Sequence, residues 1–227
     1  MKRIAIMPAR GGSKRIPRKN IVPFCGKPLM VHCLDAAKES GLFDEIHVST
    51  DDAEIFAVAE AHGFPPGFLR EAALADDFTP IRPVLRWVMD RFAARGRKFD
   101  VCCLLFPTAP LIEASDLKAA SGLLDHSGGA LPVMAVSRFP CPVEWAFRRA
   151  EDGALTEVTP GKSEIRSQDL EEAWYDSGTF SFFPAETLRK DGAAGFLGYP
   201  LARHKAVDID TPEDLDLAER LFKGRTA

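Results

Sequence analysis

Asp100 is followed by an uninterrupted apolar run, Val101-Cys-Cys-Leu-Leu-Phe106. A strand with no polar alternation has no face to give to water, so it belongs in the middle of a sheet covered on both sides, as parallel strands are. Layers above and below it are therefore required, and the rest of the chain supplies them by alternating strand-like and helix-like patterns. Ile4 to Pro8 reads as a first buried strand. Leu29 to Glu39 carries Met30, Cys33, Leu34 and Ala37 at helical spacing and ends at Ser40-Gly41. Glu45 to Ser49 reads as a strand running into Thr50-Asp51-Asp52, an N-cap arrangement for a helix through Ile55, Val58 and Ala59. Thr79 to Phe92 is a third helical pattern, and Ser115 is the expected cap of a helix through Leu117 and Leu124. Ala130 to Val136, Thr179 to Phe183 and Ala206 to Asp210 read as further strands. Thr211 then caps a closing helix, with Pro212 at its first position and Glu213 and Asp214 beside it.

This alternation predicts a three-layer α/β fold with a mainly parallel sheet. A chain of 227 residues suits a single domain, 1–227. The rhythm breaks between Arg138 and Asp176, where Pro140, Pro142 and Pro160 precede Arg166-Ser-Gln-Asp-Leu170. Residues 138–176 therefore read as an insertion. No internal repeat or low-complexity segment appears.

The first strand ends in Pro8-Ala9-Arg10-Gly11-Gly12-Ser13-Lys14-Arg15-Ile16-Pro17-Arg18-Lys19-Asn20. Glycines allow a tight turn and close approach to a ligand, and successive N–H groups in such a turn form an anion-binding concavity. Arg10, Lys14, Arg15, Arg18 and Lys19 can supply charge to several phosphate oxygens at once. Eight Lys and Arg residues stand before the first acid, Asp35, in a chain whose net charge is −4, so the remainder carries −12. A basic loop on an acidic body points to a local polyanion site and away from a nucleic-acid coat. The segment is not a P-loop, since spacing and ending both differ, and it lacks the third glycine of a dinucleotide fingerprint. The plainer alternative is a solvated basic loop. In parallel-sheet folds ligands bind beyond the carboxyl ends of the strands, which is where this loop lies.

Other features narrow the class. The five cysteines, Cys25, Cys33, Cys102, Cys103 and Cys141, are odd in number and form no Cys-x-x-Cys pair. They read as reduced thiols in the cytoplasm, with no structural zinc. The apolar start is too short for a signal peptide, and nothing approaches the ~20 apolar residues of a membrane span. The five histidines have no metal spacing. Asp76 and Asp77 lie in a loop without a distinguishing pattern.

The second chemical signal is Asp208-Ile209-Asp210. In extended chain, residues two apart face the same side, so both carboxylates can address one point. Mg2+ takes oxygen ligands and commonly bridges one or two carboxylates to substrate phosphates. Alone, the pair is better explained by acids at a helix start. Joined to a distant phosphate cradle, it reads as a metal site.

Ile6-Met-Pro-Ala-Arg10-Gly-Gly-Ser-Lys14-Arg-Ile-Pro-Arg18-Lys19-Asn20, Gly26-Lys27-Pro28, Ser49-Thr-Asp51, Pro107-Thr-Ala-Pro110, Arg166-Ser-Gln168-Asp169-Leu170 and Asp208-Ile-Asp210 occur in this order. In these motifs the chain resembles the acylneuraminate cytidylyltransferases, which activate nine-carbon 2-keto sugar acids as CMP conjugates. Within that family it is most similar to the pseudaminic acid cytidylyltransferases. Arg15 stands where sialate enzymes usually carry glycine, Phe106 where they place glutamine, and Ile112 where they place arginine. Tyr175-Asp-Ser177-Gly178 replaces their asparagine-glycine pair. A site built to bond one set of sugar groups rejects isomers lacking them, so these changes imply a different sugar. Kdo-activating enzymes share Pro-Ala-Arg and Gly-Lys-Pro but lack Gly-Gly-Ser-Lys.

The resemblance implies a nucleotide-diphospho-sugar transferase-like fold whose inserted arm forms a homodimer. It implies a cytoplasmic enzyme joining CTP to pseudaminic acid, with CMP-N-acetylneuraminate or CMP-legionaminate synthesis, or a non-catalytic nucleotide-binding module, as alternatives. Arg10, Lys19 and Asp210 are the implied catalytic residues. Ala9, Arg10, Gly11, Gly12, Ser13, Lys14, Lys19, Asn20 and Arg70 are implied in nucleotide binding. Arg166, Gln168 and Ser177 are implied at the sugar, and Asp208 and Asp210 at Mg2+. No His or Glu stands out as a general base. Asp210 and a hydroxide on the metal both remain open.

Overall fold

The structure is a computed structural model that describes residues 1–76, 79–190 and 195–225. Asp77 lies outside the described residues. In chain order the elements are β1 (Arg3–Pro8), β2 (Pro23–Phe24), β3 (Lys27–Pro28), α1 (Leu29–Ser40), β4 (Glu45–Ser49), α2 (Ala53–Ala61), α3 (Ile81–Ala93), β5 (Val101–Leu105) and α4 (Ala114–His126). They continue with β6 (Val133–Arg138), β7 (Phe147–Arg149), β8 (Leu155–Glu157), β9 (Trp174–Pro184), α5 (Ala185–Arg189), β10 (Leu197–Pro200) and α6 (Pro212–Gly224). Six strands form one sheet in the order β10-β6-β9-β5-β1-β4.

Alternation along β1 divides the core into two. Ala5 and Met7 face Leu34 and Ala37 of α1, Ile55 of α2 and Leu117 and Leu124 of α4. Ile4 and Ile6 face Leu85, Val88 and Phe92 of α3 and Leu188 of α5. The three-layer arrangement follows, because each face is covered by its own helices. Cys102 and Cys103, adjacent on the fully buried β5, enter opposite layers. Burial pushes both thiols above their ordinary range, as it does the Cys33 thiol, raised to about 12.

β5 is central as expected, but it pairs parallel only with β1; its other neighbour, β9, runs antiparallel. β9 is antiparallel to β6 as well, and the remaining pairs are parallel. β9 also begins at Trp174 rather than Thr179, inside the stretch read as an insertion. Polar Asp176 and Ser177 and a register shift opposite Met134 to Val136 hide its early half from a pattern search. Residues 139–173 add no strand to the main sheet and carry the separate β7–β8 hairpin.

Two further expectations need correction. Ser115 lies inside α4; Glu113 is the N-cap, and its amide donates to Asp116 Oδ2 at 2.9 Å. Residues 206–210 are not a strand. Beyond the end of β5, Ile209 N donates to the Thr108 carbonyl at 3.2 Å instead of joining a ladder. By contrast, Asp52 caps α2 and Thr211 caps α6 as expected.

A third, smaller core joins the two ends of the chain. Ile16 of the basic loop, Phe24, Leu29, Leu111, Ile209 and Ala218 of α6 pack together. The basic loop and the acidic segment are thereby anchored on the same apolar cluster.

Candidate active site

Gly11 sits where any β-carbon would collide with the Asp52 carboxylate. Asp52 Oδ1 accepts from the amides of Glu54 and Ile55, and both Asp52 oxygens receive the Arg18 guanidinium, at 2.9 and 3.2 Å. Arg18 also pairs with Glu54 and adopts left-handed backbone, φ 56°. The loop is thus folded down on the N-terminus of α2. Those helix hydrogen bonds and Arg18 hold the Asp52 carboxyl below its usual range against the opposing effect of burial. The Asn20 side chain, buried, donates to the Arg10 carbonyl at 2.9 Å and fixes the other end of the turn. Gly12 has open space where its β-carbon would be.

The loop forms one wall of a cleft of about 490 Å³. Arg10, Gly12, Ser13, Lys14, Arg15, Lys19 and Asn20 line that wall, and Phe106, Thr108, Asp208 and Asp210 line the rest. Ile209 is fully buried between the two aspartates. In extended backbone this turns its neighbours outward. Lys19 Nζ stands 2.7 Å from Asp210 Oδ1 and 2.8 Å from the Ile209 carbonyl. Arg15 pairs with the other Asp210 oxygen at 2.7 Å. These two cations hold the Asp210 carboxyl below its ordinary value. Asp208 opens onto the cleft yet is crowded by surrounding protein. That crowding, with Asp210 nearby, raises its pKa, while a hydrogen bond to Thr108 works the other way.

A second cleft, of about 240 Å³, adjoins the first at Pro8, Arg10 and Phe106. Arg70, only 7% exposed, projects there; it donates to the Ser49 carbonyl at 2.6 Å and to the Leu74 carbonyl at 3.4 Å. Arg10 donates to the Asp76 carbonyl at 3.3 Å across the same hollow. Burial lowers the pKa of Arg70.

The residues expected at the sugar are not gathered in this way. Arg166 is exposed on the inserted stretch and pairs with Asp169 at 3.0 Å, and Gln168 is exposed beside it. Ser177 is buried, and its hydroxyl donates to the Ala135 carbonyl at 2.7 Å. Ser177 does border a third hollow, which shares Asp208 with the main cleft. Two contacts are not legible in the sequence. Arg15, which the sequence offers as a loop cation and as a departure from the sialate enzymes, is a direct partner of Asp210, and Asp52, offered as a helix cap, also shapes the glycine turn.

Among the described residues no three His, Cys, Asp or Glu side chains cluster as a self-contained metal site. Two carboxylates lining a cleft that also carries Arg10, Lys14, Arg15 and Lys19 match the donor set Mg2+ uses when substrate phosphates supply the rest of its shell.

The cytidylyltransferase family model matches residues 4–226. The chain is 35% identical to pseudaminic acid cytidylyltransferase of Campylobacter jejuni, across 98% of this chain and 97% of that protein. It is 30% identical to CMP-N,N'-diacetyllegionaminic acid synthase of Legionella pneumophila, again across 98% and 97%. Its fold is similar to that of CMP:2-keto-3-deoxy-manno-octonic acid synthetase complexed with CTP, with a TM-score of 0.76 over 99% of this chain and 100% of the other at 16% identity. The fold is therefore nucleotide-diphospho-sugar transferase-like, as the resemblance in its motifs implies.

Proposed function

The chain belongs to the cytidylyltransferase family, and from that premise we propose that it condenses CTP with pseudaminic acid to give the CMP-sugar and pyrophosphate. The observation that carries the proposal is the meeting of the basic loop and the Asp208–Asp210 segment in one cleft, through Lys19 and Asp210. The sugar's anomeric 2-hydroxyl attacks the α-phosphorus, the new P–O bond forms, and the bond to the β-phosphate oxygen breaks. Pyrophosphate leaves with that oxygen, and the hydroxyl proton is lost. An anionic sugar acid must approach a tetra-anionic triphosphate, so positioning and charge neutralisation dominate the barrier.

Each residue has a part in that scheme. Lys19 and Arg10, with Lys14 and Arg15 beside them, hold the triphosphate, and the Ala9 to Ser13 backbone cradles it. Asn20 keeps the turn in shape, and Arg70 in the adjoining hollow meets the nucleoside. Asp208 and Asp210 are the residues that would hold Mg2+, which when bound neutralises phosphate charge and lowers the pKa of a nearby hydroxyl. Arg15 and Lys19 both pair with Asp210, which sets the two cations side by side on the cleft at the carboxylate that would hold the metal.

Arg166 and Gln168 stand on the inserted stretch, away from the cleft of their own chain. The same stretch exposes Phe147, Leu155 and Val158, with Trp174 at its end. A homodimer in which this arm covers its apolar side chains and brings Arg166 to the partner's sugar accounts for both facts. A bidentate arginine suits the sugar carboxylate. No described helix is long and apolar enough to cross a membrane. CMP-legionaminate synthesis is the second reading, supported by the likeness to the Legionella enzyme.

Pyrophosphate release from CTP, followed against pseudaminic, legionaminic and N-acetylneuraminic acids, tests the proposal. Pseudaminic acid should give the highest kcat/KM. Preference for another of the three would move the substrate assignment, and release with none would overturn the proposal.

A further inference from the structure

Lys205 lies outside the cleft, three positions before Asp208, and has no part in the scheme above. Its side chain is 13% exposed, and its ammonium lies 2.8 Å from Glu113 Oε2 and 2.8 and 3.1 Å from the two oxygens of Asp116. Asp116 is buried as well. It accepts from the Glu113 amide at 2.9 Å and from the Tyr199 hydroxyl at 3.2 Å. Arg225 approaches Glu113 at 3.7 Å and donates to the Leu111 carbonyl. Taking an ammonium and a carboxylate out of water is costly, and apolar packing can hold a segment as firmly. The best-attested use of such a cluster is to fix one register over its alternatives.

A register here needs fixing. Residues 201–210 leave β10 and reach α6 without joining the sheet, tied by Leu201 N to the Val136 carbonyl at 2.7 Å and by Ile209 N to the Thr108 carbonyl at 3.2 Å. Residues 108–116 run alongside. Lys205 with Glu113 and Asp116 is one rung between the two segments, and Ile209 with Thr108 is the other. In this alignment Ile209 is buried in the small core and Asp208 and Asp210 line the cleft. A slip of one residue would put Ile209 in the cleft and turn both carboxylates toward the core.

We propose that Lys205 is a positioning residue, whose ion cluster with Glu113 and Asp116 sets the register of the 205–210 segment and so the place of Asp208 and Asp210. The consequence for catalysis rests on the cytidylyl-transfer reading; the consequence for backbone order does not. Lys205 makes no hydrogen bond or ion pair with the basic loop, so loss of the cluster reaches the site through the placement of Asp208 and Asp210.

The test uses the full-length protein with Lys205→Met, which keeps the apolar stem, and Lys205→Arg, which keeps the charge. Amide exchange at Ile209 is compared with that at Ile6 in β1 by NMR, and kcat and KM for CTP and sugar acid are measured per folded molecule. Lys205→Met should speed exchange at Ile209 relative to Ile6 and lower kcat by tenfold or more, as expected where a displacement of about 1 Å costs about 100-fold. Lys205→Arg should recover part of both. Unchanged relative exchange at Ile209 overturns the proposal, as does a uniform rise at all amides with kcat intact. Should the wild-type protein transfer no cytidylyl group, the functional reading fails, while exchange at Ile209 still decides the positioning role.

Discussion

Lys19 Nζ and Asp210 Oδ1 stand 2.7 Å apart, although 191 positions separate them in the chain. The contact exists because Ile16, four residues from the loop's lysine-asparagine end, and Ile209 pack on the same cluster with Phe24 and Leu29. Apolar burial at the base thus brings opposite charges together at the cleft. Removal of either charge should be felt at the same substrate.

Asp210→Asn should lower turnover by about 100-fold or more, the scale seen when one preorganised electrostatic group is lost. Its isosteric amide keeps the shape, so the melting temperature should move little. Wild-type turnover at saturating Mg2+ would refute the assignment of Asp210. Lys19→Ala should both raise the CTP requirement and lower kcat, and an unchanged profile would leave Lys19 as a structural partner of Asp210 only.

Gly11→Ala forces a methyl group into the Asp52 carboxylate. Either the loop lifts or the cap of α2 is lost, at a cost of about 1–3 kcal/mol typical of overpacking. Thermal unfolding should show that loss together with a higher KM for CTP. In a background of Asp52→Ser, a shorter cap, the same glycine substitution should be much less harmful. Equal penalties in both backgrounds would contradict the steric account.

His47 supplies a pH dependence. Its ring is fully buried on β4, 4.5 Å from the Phe68 ring centroid, with both nitrogens unpartnered, and burial next to Arg70 and Arg95 pushes its pKa down to about 3. Above the ordinary value of 6.5 the ring is neutral both folded and unfolded and contributes no slope. Below it the unfolded chain binds a proton that the folded chain does not, so stability falls as pH drops from 6.5 towards 3. The slope for one such proton approaches 1.4 kcal/mol per pH unit, about the value of one pKa unit. Urea unfolding of wild type and His47→Leu between pH 7 and pH 4 should show a shallower dependence in the variant. Parallel curves would mean that His47 reaches solvent or a partner.

Arg166→Ala and Asp210→Asn test the arm together. If Arg166 serves the partner's site, each variant alone is impaired, but co-refolded mixtures contain heterodimers with one site intact in both residues. Mixing should restore pyrophosphate release above either parent. Failure to complement, with dimers present by sedimentation, would place Arg166 at the site of its own chain or at none.

The layers and the basic glycine loop were legible in the sequence because they depend on local pattern. The apolar run 101–106 requires cover on both faces, and a glycine turn crowded with cations marks one wall of the cleft. What depends on long-range pairing was not legible. β9 runs against its neighbours and begins at Trp174, and nothing in the alternation of Phe180 and Phe182 reports direction. Residues 206–210 have the composition of a strand, but a strand needs a ladder, and here Ile209 N bonds the single carbonyl of Thr108, beyond the end of β5. The two aspartates nevertheless line one cleft, because extended chain alternates whether or not it joins a sheet. Ser177, a position carried over by likeness, has its hydroxyl turned inward to Ala135, a partner that no local pattern reports.

The most direct test is a double-mutant cycle on pyrophosphate release from CTP, using Lys19→Met, Asp210→Asn and the pair under single-turnover conditions with Mg2+ saturating. Groups acting on one bound triphosphate are not additive. The account predicts that the double variant is little slower than the slower single variant. Losses that simply multiply would show that the two residues act on separate processes, and the shared cleft would not be the seat of the reaction.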